Sequence, residues 1–149
     1  MLTAFDKELL NLIQTKLPIE SRPFAKVAQL LKVDEAAVLA RLIWLKDHGY
    51  IRRFGAFFDS SCLGYVSTLA AVKVSVNCIE AVAKAINAYP GVTHNYEREG
   101  EYNLWFTLLT PDQAGQDKAL TAIRCLPGVD GLISLPATEK FKVSVEFNL

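Results

Sequence analysis

Residues 92–98 read Val-Thr-His-Asn-Tyr-Glu-Arg. If this run is a strand, its two-residue period sets His94, Tyr96 and Arg98 on one face and Thr93, Asn95 and Glu97 on the other, with same-face neighbours roughly 7 Å apart. A proton carrier, a phenol and a fixed cation then share one surface. An arginine grips a carboxylate through two parallel hydrogen bonds, and an imidazole delivers a proton or binds a metal ion. The same alternation on a central strand would also suit a solvated face or a dimer interface. Just downstream, Tyr102 and Trp105 in Glu-Tyr-Asn-Leu-Trp-Phe-Thr fit either a core or interface role or a platform for a flat ring. Arg52 and Arg53, farther upstream, read as backbone contacts to DNA or as solvated charges.

The elements that must position these residues are legible from periodicity. Residues 4–17 place Phe5, Leu9, Leu12 and Ile13 on one helical stripe, with Thr3 as N-cap, Asp6 in the first turn and Pro18 as the stop. A second helix over 23–31 opens with Pro23 and turns Phe24, Val27, Leu30 and Leu31 inward. The third starts at Asp34 and ends at His48, with Val38, Leu42 and Leu45 facing in, Gly49 at the left-handed stop, and His48 placed to offset the helix dipole. Residues 50–59 are rich in strand formers and are expected to form the wing of a winged helix-turn-helix.

Beyond Gly64 the pattern becomes strand (66–76), helix (79–89), strand (92–98), strand (102–109), helix (112–125) and strand (129–135). An internal repeat supports this order, because Ala85 to Val92, Ala-Ile-Asn-Ala-Tyr-Pro-Gly-Val, is echoed 37 residues later by Ala-Ile-Arg-Cys-Leu-Pro-Gly-Val. Both copies read as a helix end, a Pro-Gly turn and a strand start. Two such units make a ferredoxin-like βαββαβ sandwich whose helices cover one sheet face only, so the other face needs a partner or a ligand. Residues 141–147 alternate Phe141, Val143, Val145 and Phe147 with polar residues and are expected to be a further strand. The expected fold class is α+β, with a winged helix-turn-helix in residues 1–60 and the ferredoxin-like domain in residues 61–149.

Composition narrows the functional classes. The 149 residues are 51% hydrophobic and 21% charged, enough to bury a core, and no apolar run approaches the roughly 20 residues of a membrane span. With a charged N-terminus in place of a signal peptide, a cytoplasmic location without membrane contact is expected. Sixteen basic and sixteen acidic residues leave no global positive field for nucleic acid. The third helix, where a recognition helix would lie, carries Asp34, Glu35, Arg41, Lys46 and Asp47, a formal charge of minus one, and few base or phosphate readers. Specific DNA binding is therefore not expected. Cys62, Cys78 and Cys125 show no CxxC or CxxH spacing, so neither disulfides nor structural zinc are indicated, and buried free thiols are expected.

A helix-turn-helix joined to βαββαβ resembles the AsnC/Lrp regulators over essentially the whole chain. Four local strings are more specific: Arg52-Arg53-Phe54-Gly55-Ala56-Phe57-Phe58-Asp59, Leu63-Gly64-Tyr65, Gly91-Val92-Thr93-His94-Asn95-Tyr96-Glu97-Arg98 and Glu101-Tyr102-Asn103-Leu104-Trp105-Phe106-Thr107. Together they resemble the siroheme decarboxylases, AsnC/Lrp-derived enzymes that remove two acetate carboxyl groups from siroheme on routes to haem b or haem d1. The resemblance implies a carboxy-lyase subunit with His94 and Tyr96 as catalytic groups, His94 also being a candidate axial ligand to the tetrapyrrole iron. Arg98, Arg52, Arg53, Tyr102 and Trp105 are the implied substrate-binding residues. It further implies siroheme, or a bound haem, as the iron tetrapyrrole with no separate cofactor, and a homodimer or a heterodimer with a paralogous subunit. A ligand-responsive transcriptional regulator and a haem-binding protein without catalysis are the competing readings.

Overall fold

The computed structural model describes residues 1–56, 58–142 and 146–149. They form two compact units: Met1–Ala56 with Lys142–Leu149, and Phe57–Phe141. In the first, α1 (Ala4–Lys16), α2 (Pro23–Leu31) and α3 (Glu35–Asp47) enclose a core of Leu9, Val27, Ala28, Val38, Leu42 and Leu45. Leu30, expected inside, is 55% exposed, and the smaller Ala28 takes the inward position on that turn. Thr3 and Asp6 form a reciprocal capping box at the start of α1, and Gly49 has the positive φ of 77° that ends α3. His48 Nδ1 lies 2.9 Å from the Trp44 carbonyl at that helix end, and its ring stacks on the Trp44 ring at 3.9 Å.

Asp6 is fully buried and joins α1 to α3. Its carboxylate accepts from the Thr3 main-chain N–H (2.6 Å), the Thr3 hydroxyl (2.8 Å), and both Nε and Nη2 of Arg41, the latter at 2.8 Å. The Arg41 bonds hold the Asp6 carboxyl well below the usual carboxylate range against the opposing effect of burial. The Arg41 guanidinium also lies 4.0 Å from the Trp44 ring centroid.

Two expectations for the segments flanking these helices are corrected. The described part of 50–59 contains no strand, so no hairpin wing is present among the described residues. The expected strand over 141–147 falls in part on 143–145, outside the described residues, and its flanks, 141–142 and 146–149, are not strand. Instead the Gln14 amide donates to the Phe147 carbonyl (2.7 Å) and accepts from its N–H (2.9 Å), while Asn11 makes longer bonds of the same kind to Leu149. A helix side chain here satisfies main-chain groups that a strand partner would otherwise take.

The second unit contains β1 (Val66–Val74), α4 (Ile79–Asn87), β2 (Val92–Glu97), β3 (Leu104–Thr110), α5 (Gln113–Arg124) and β4 (Val129–Leu135). The sheet order is β2-β3-β1-β4, with β2·β3, β3·β1 and β1·β4 each paired antiparallel, the split βαβ arrangement expected from the repeat. Residues Ala70, Val72, Val74, Leu104, Phe106, Leu108 and Leu132 face α4 and α5 and build the core with Val82, Ile86, Ala119 and Ile123. Val76 lies outside β1, in a 3-10 turn (Val76–Cys78), and is 80% exposed. The cysteines depart from expectation: Cys62 and Cys125 are exposed and Cys78 is half-buried, all three as free thiols.

The two glycines of the repeat serve different ends. A Cβ on Gly91 would lie 1.8 Å from the Leu109 carbonyl oxygen, whereas Gly128 has a φ of 86° and a Cβ there would meet Cys78 at 2.5 Å. Gly91 also accepts a hydrogen bond from the Leu109 N–H at 2.8 Å, so it seats the start of β2 against β3. Gly91→Ala must push the two strands apart, and we expect a loss near the upper end of the usual 1–3 kcal/mol for overpacking, about 2–3 kcal/mol. An unchanged midpoint in urea unfolding would show that this strand end yields freely.

Candidate functional site

β2 is an edge strand, and a bulge shapes it. Val92 pairs with Leu108 but His94 pairs with Thr107, so one extra residue is accommodated between Val92 and His94. The extra residue lets Val92 pack with the helix-side core while His94, Tyr96 and Arg98 all reach the helix-free face. Asn95 points the other way, donating to Asn87 Oδ1 on α4 (2.9 Å). The face shared by His94, Tyr96 and Arg98 is thus the one anticipated from the two-residue period.

Register arranges that face in rows. Tyr96 lies opposite Trp105, Trp105 opposite Ala71, and Ala71 opposite Ile133; the neighbouring row is His94, Thr107, Leu69 and Leu135. His94, Tyr96, Arg98, Leu69, Trp105 and Thr107 line an open hollow of about 390 Å³. The walls come from three strands, with an apolar floor and polar groups at the β2 edge. This is the composition of a small-molecule site that fixes orientation with a few polar groups.

Within the hollow the His94 and Tyr96 rings stack at 6.2 Å between centroids with 27° between planes. The Arg98 guanidinium lies 5.9 Å from the Tyr96 centroid, within range of a cation–π attraction that holds its charge over the strand. His94 Nδ1 lies 3.1 Å from the Thr93 hydroxyl, so Nε2 is the nitrogen left for a proton or a metal. The Trp105 indole N–H donates to the Tyr102 carbonyl at 2.7 Å, which ties the platform to the β2–β3 turn.

Asn103 is a residue whose part sequence reasoning missed. Its side-chain amide accepts from the Val74 N–H (2.9 Å) and donates to the Val74 carbonyl (2.8 Å), while its main-chain N–H donates to Val72 and its carbonyl accepts from Arg98 N–H. The ladder is thereby extended one step by a side chain, and β3 begins at Leu104 and not at Tyr102. An asparagine between two candidate aromatic residues was the available signal.

Tyr102 is half-buried on the turn, and its hydroxyl lies 3.5 Å from where a Cβ on Gly131 would be. Arg52 and Arg53 belong to the first unit, on the exposed segment after α3. No group of three or more His, Cys, Asp or Glu residues that could hold a metal ion occurs among the described residues. No helix among them is long and apolar enough to cross a membrane.

Taken together, a helical N-terminal unit and a four-stranded sheet with one bare, polar-edged face define the AsnC/Lrp class of proteins. Residues 62–142 match the AsnC-like ligand binding domain and residues 6–52 the siroheme decarboxylase NirDL-like HTH domain. E. coli AsnC superposes with a TM-score of 0.83 over 97% of both chains at 15% identity, a likeness of fold. The siroheme decarboxylase alpha subunit of Desulfovibrio desulfuricans is 45% identical over 98% of this chain and 84% of its own length. A crystal structure of the siroheme decarboxylase NirDL in co-complex with an iron-uroporphyrin III analogue has a TM-score of 0.68 and 31% identity over 95% of this chain; the match spans 48% of that longer chain. The chain belongs to the siroheme decarboxylase subunit family.

Proposed function

We propose that the chain is a carboxy-lyase subunit that removes two acetate carboxyl groups, as CO2, from siroheme to give didecarboxysiroheme. The observation that carries this reading is the placement of His94, Tyr96 and Arg98 along one edge of an apolar sheet face. A flat macrocycle edged with carboxylates suits such a surface, with Trp105 and Tyr96 under the ring and Arg98 on a carboxylate. The iron tetrapyrrole is the substrate itself.

In each decarboxylation the bond between the acetate methylene and its carboxylate breaks, and CO2 departs. The electron pair stays on the methylene carbon, where the macrocycle delocalises it, so no separate organic cofactor is required. A proton then converts that carbon to a methyl group, and His94 Nε2 is the proposed donor with the stacked Tyr96 phenol as the alternative. In the alternative role, Nε2 is the candidate axial ligand to the iron, and the proton then falls to Tyr96. Arg52 and Arg53 are proposed to add carboxylate contacts.

The bare sheet face also supports association with a second chain of this fold, identical or paralogous. Leu69, Tyr96 and Leu135 stand 43%, 50% and 48% exposed on it, and apolar area of this kind is normally covered. A cytoplasmic enzyme without specific DNA binding completes the reading. The bidentate commitment of Arg41 to Asp6 supports the last point, because it removes a basic side chain from the outer surface of α3.

The direct test is anaerobic incubation of the purified chain, alone and with any paralogous subunit, with siroheme, followed by mass analysis. Loss of two CO2 is the expected result, and an intact substrate in both preparations would overturn the reading. Arg98→Ala should weaken tetrapyrrole binding by about 1.5–3 kcal/mol, since a desolvated substrate carboxylate loses its charged partner. Unchanged affinity in an absorption titration would remove Arg98 from the site.

A further inference from the structure

The open sheet face extends past the hollow. Along β1, Leu69, Ala71 and Lys73 alternate with the core residues Ala70, Val72 and Val74, so Lys73 rises from the same face as Leu69. Lys73 pairs with Gly131 of β4, and a Cβ on Gly131 would stand 3.8 Å from the Lys73 Cβ and 3.5 Å from the Tyr102 hydroxyl. Lys73 and Tyr102 thus border a bare patch of β4.

One step beyond the Tyr96–Trp105–Ala71–Ile133 row, the same register places Arg98, Asn103, Lys73 and Gly131 side by side. Arg98 N–H donates to the Asn103 carbonyl at 2.9 Å and Asn103 N–H to the Val72 carbonyl at 3.1 Å. Two strand spacings separate Arg98 from Lys73, about 10 Å across the sheet. The face therefore carries two basic residues whose backbones stand two strand spacings, about 10 Å, apart, beside a row that holds Tyr96 and Trp105.

Lys73 is already bound to a carboxylate. Its Nζ lies 2.9 Å from Glu101 Oε1, on the turn between β2 and β3, with the two side chains 43% and 70% exposed. So exposed a pair adds little to stability and opens readily. The Glu101 bond keeps Lys73 charged, raising its pKa above the ordinary lysine value.

We propose that Lys73 is a second carboxylate anchor for the tetrapyrrole, and that Glu101 stands in for a substrate carboxylate on Lys73 until the macrocycle replaces it. The proposal rests on the tetrapyrrole reading above and adds an orientation to it. As the single anchor on the sheet face itself, Arg98 would leave a flat disc free to turn in its own plane about one point. A second anchor across the sheet stops that rotation and decides which acetate groups stand beside His94. The Asn103 clasp to Val74, with the Arg98 N–H bond to the Asn103 carbonyl, ties the turn that carries Glu101 to β1, the strand of Lys73.

The test is an absorption titration of the full-length chain, with its partner subunit where one exists, using iron-uroporphyrin III, an iron porphyrin ringed with carboxylates. Lys73→Met should raise Kd about tenfold and Lys73→Arg should restore most of the loss. Glu101→Gln should tighten binding a few-fold by removing the competing carboxylate, and should have no effect in the Lys73→Met background. Lys84→Met, on the helix that covers the opposite face, should match the unmutated chain. Iron octaethylporphyrin, which has no carboxylates, should bind the unmutated and Lys73→Met chains alike. With siroheme, Lys73→Met should also raise the share of singly decarboxylated product. If the unmutated chain binds, Arg98→Ala weakens binding and Lys73→Met does not, the second anchor is overturned while the tetrapyrrole reading stands. If the unmutated chain fails to bind, the tetrapyrrole reading falls and this proposal with it.

Discussion

Replacing His94 with alanine is expected to lower siroheme turnover about 10²–10⁴-fold while the tetrapyrrole still binds. The size follows from the proposed task. A proton donor acts on the carbanion formed after CO2 leaves and contributes little to holding the intact substrate, so its removal should appear in kcat far more than in affinity. His94 is placed for this by its open-face position, by Nδ1 engaged with Thr93, and by stacking against Tyr96, which steadies the ring. If the imidazole is an iron ligand, His94→Ala should instead change the absorption spectrum of the bound tetrapyrrole together with its affinity. One variant thus separates the two roles. Should His94→Ala and Arg98→Ala both leave binding, spectrum and CO2 loss untouched in an active preparation, these residues are ordinary strand surface.

Arg41→Ala should destabilise the helical unit by about 3 kcal/mol. Removing one partner of a buried ion pair typically costs 3–5 kcal/mol, because the remaining charge is left without compensation in a poorly solvated place. Here the remaining charge is the fully buried Asp6 carboxylate, which keeps its two bonds from Thr3, and Arg41 is itself 27% exposed, so the low end of the range applies. Urea unfolding followed by circular dichroism checks the figure, and a loss under about 1 kcal/mol would mean that water replaces the guanidinium. The same pair sets an acid dependence. The carboxyl titrates lower in the folded chain than in the unfolded one, so its stabilisation is complete above the unfolded-state pKa and drains away as pH falls below about 4. In Arg41→Ala that acid-sensitive contribution should shrink.

Local grammar in the sequence carried the elements a long way. Thr3 with Asp6, Pro23 and Gly49 mark helix ends that the structure keeps, and Asp34 holds the N-cap position of α3 without a side-chain capping bond; such signals depend on neighbours within four residues. The Pro-Gly repeat announced two βαβ halves for the same reason. The shared face of His94, Tyr96 and Arg98 was readable because strand periodicity is local, and the bulge after Val92 leaves the residues from His94 onward in step. Local grammar failed for residues 50–59, where strand-forming composition found no hairpin partner among the described residues, and for the cysteines, whose burial depends on what packs over them.

The amino-acid sequence by itself determined which residues could form a carboxylate-gripping, proton-donating strand, and, through the quoted strings, the family to which the chain belongs. Only the tertiary structure decided that Tyr96 faces Trp105, that β2 is an edge strand, and that Lys73 stands in the row of Arg98. It also decided that Asn103 and Gln14 complete main-chain pairing with their amides and that Arg41 is spent on Asp6. The reason is physical. Caps and strand periods are set by atoms a few residues apart, whereas strand order, register and buried ion pairs join groups tens of residues apart, whose meeting depends on how the whole chain closes its core.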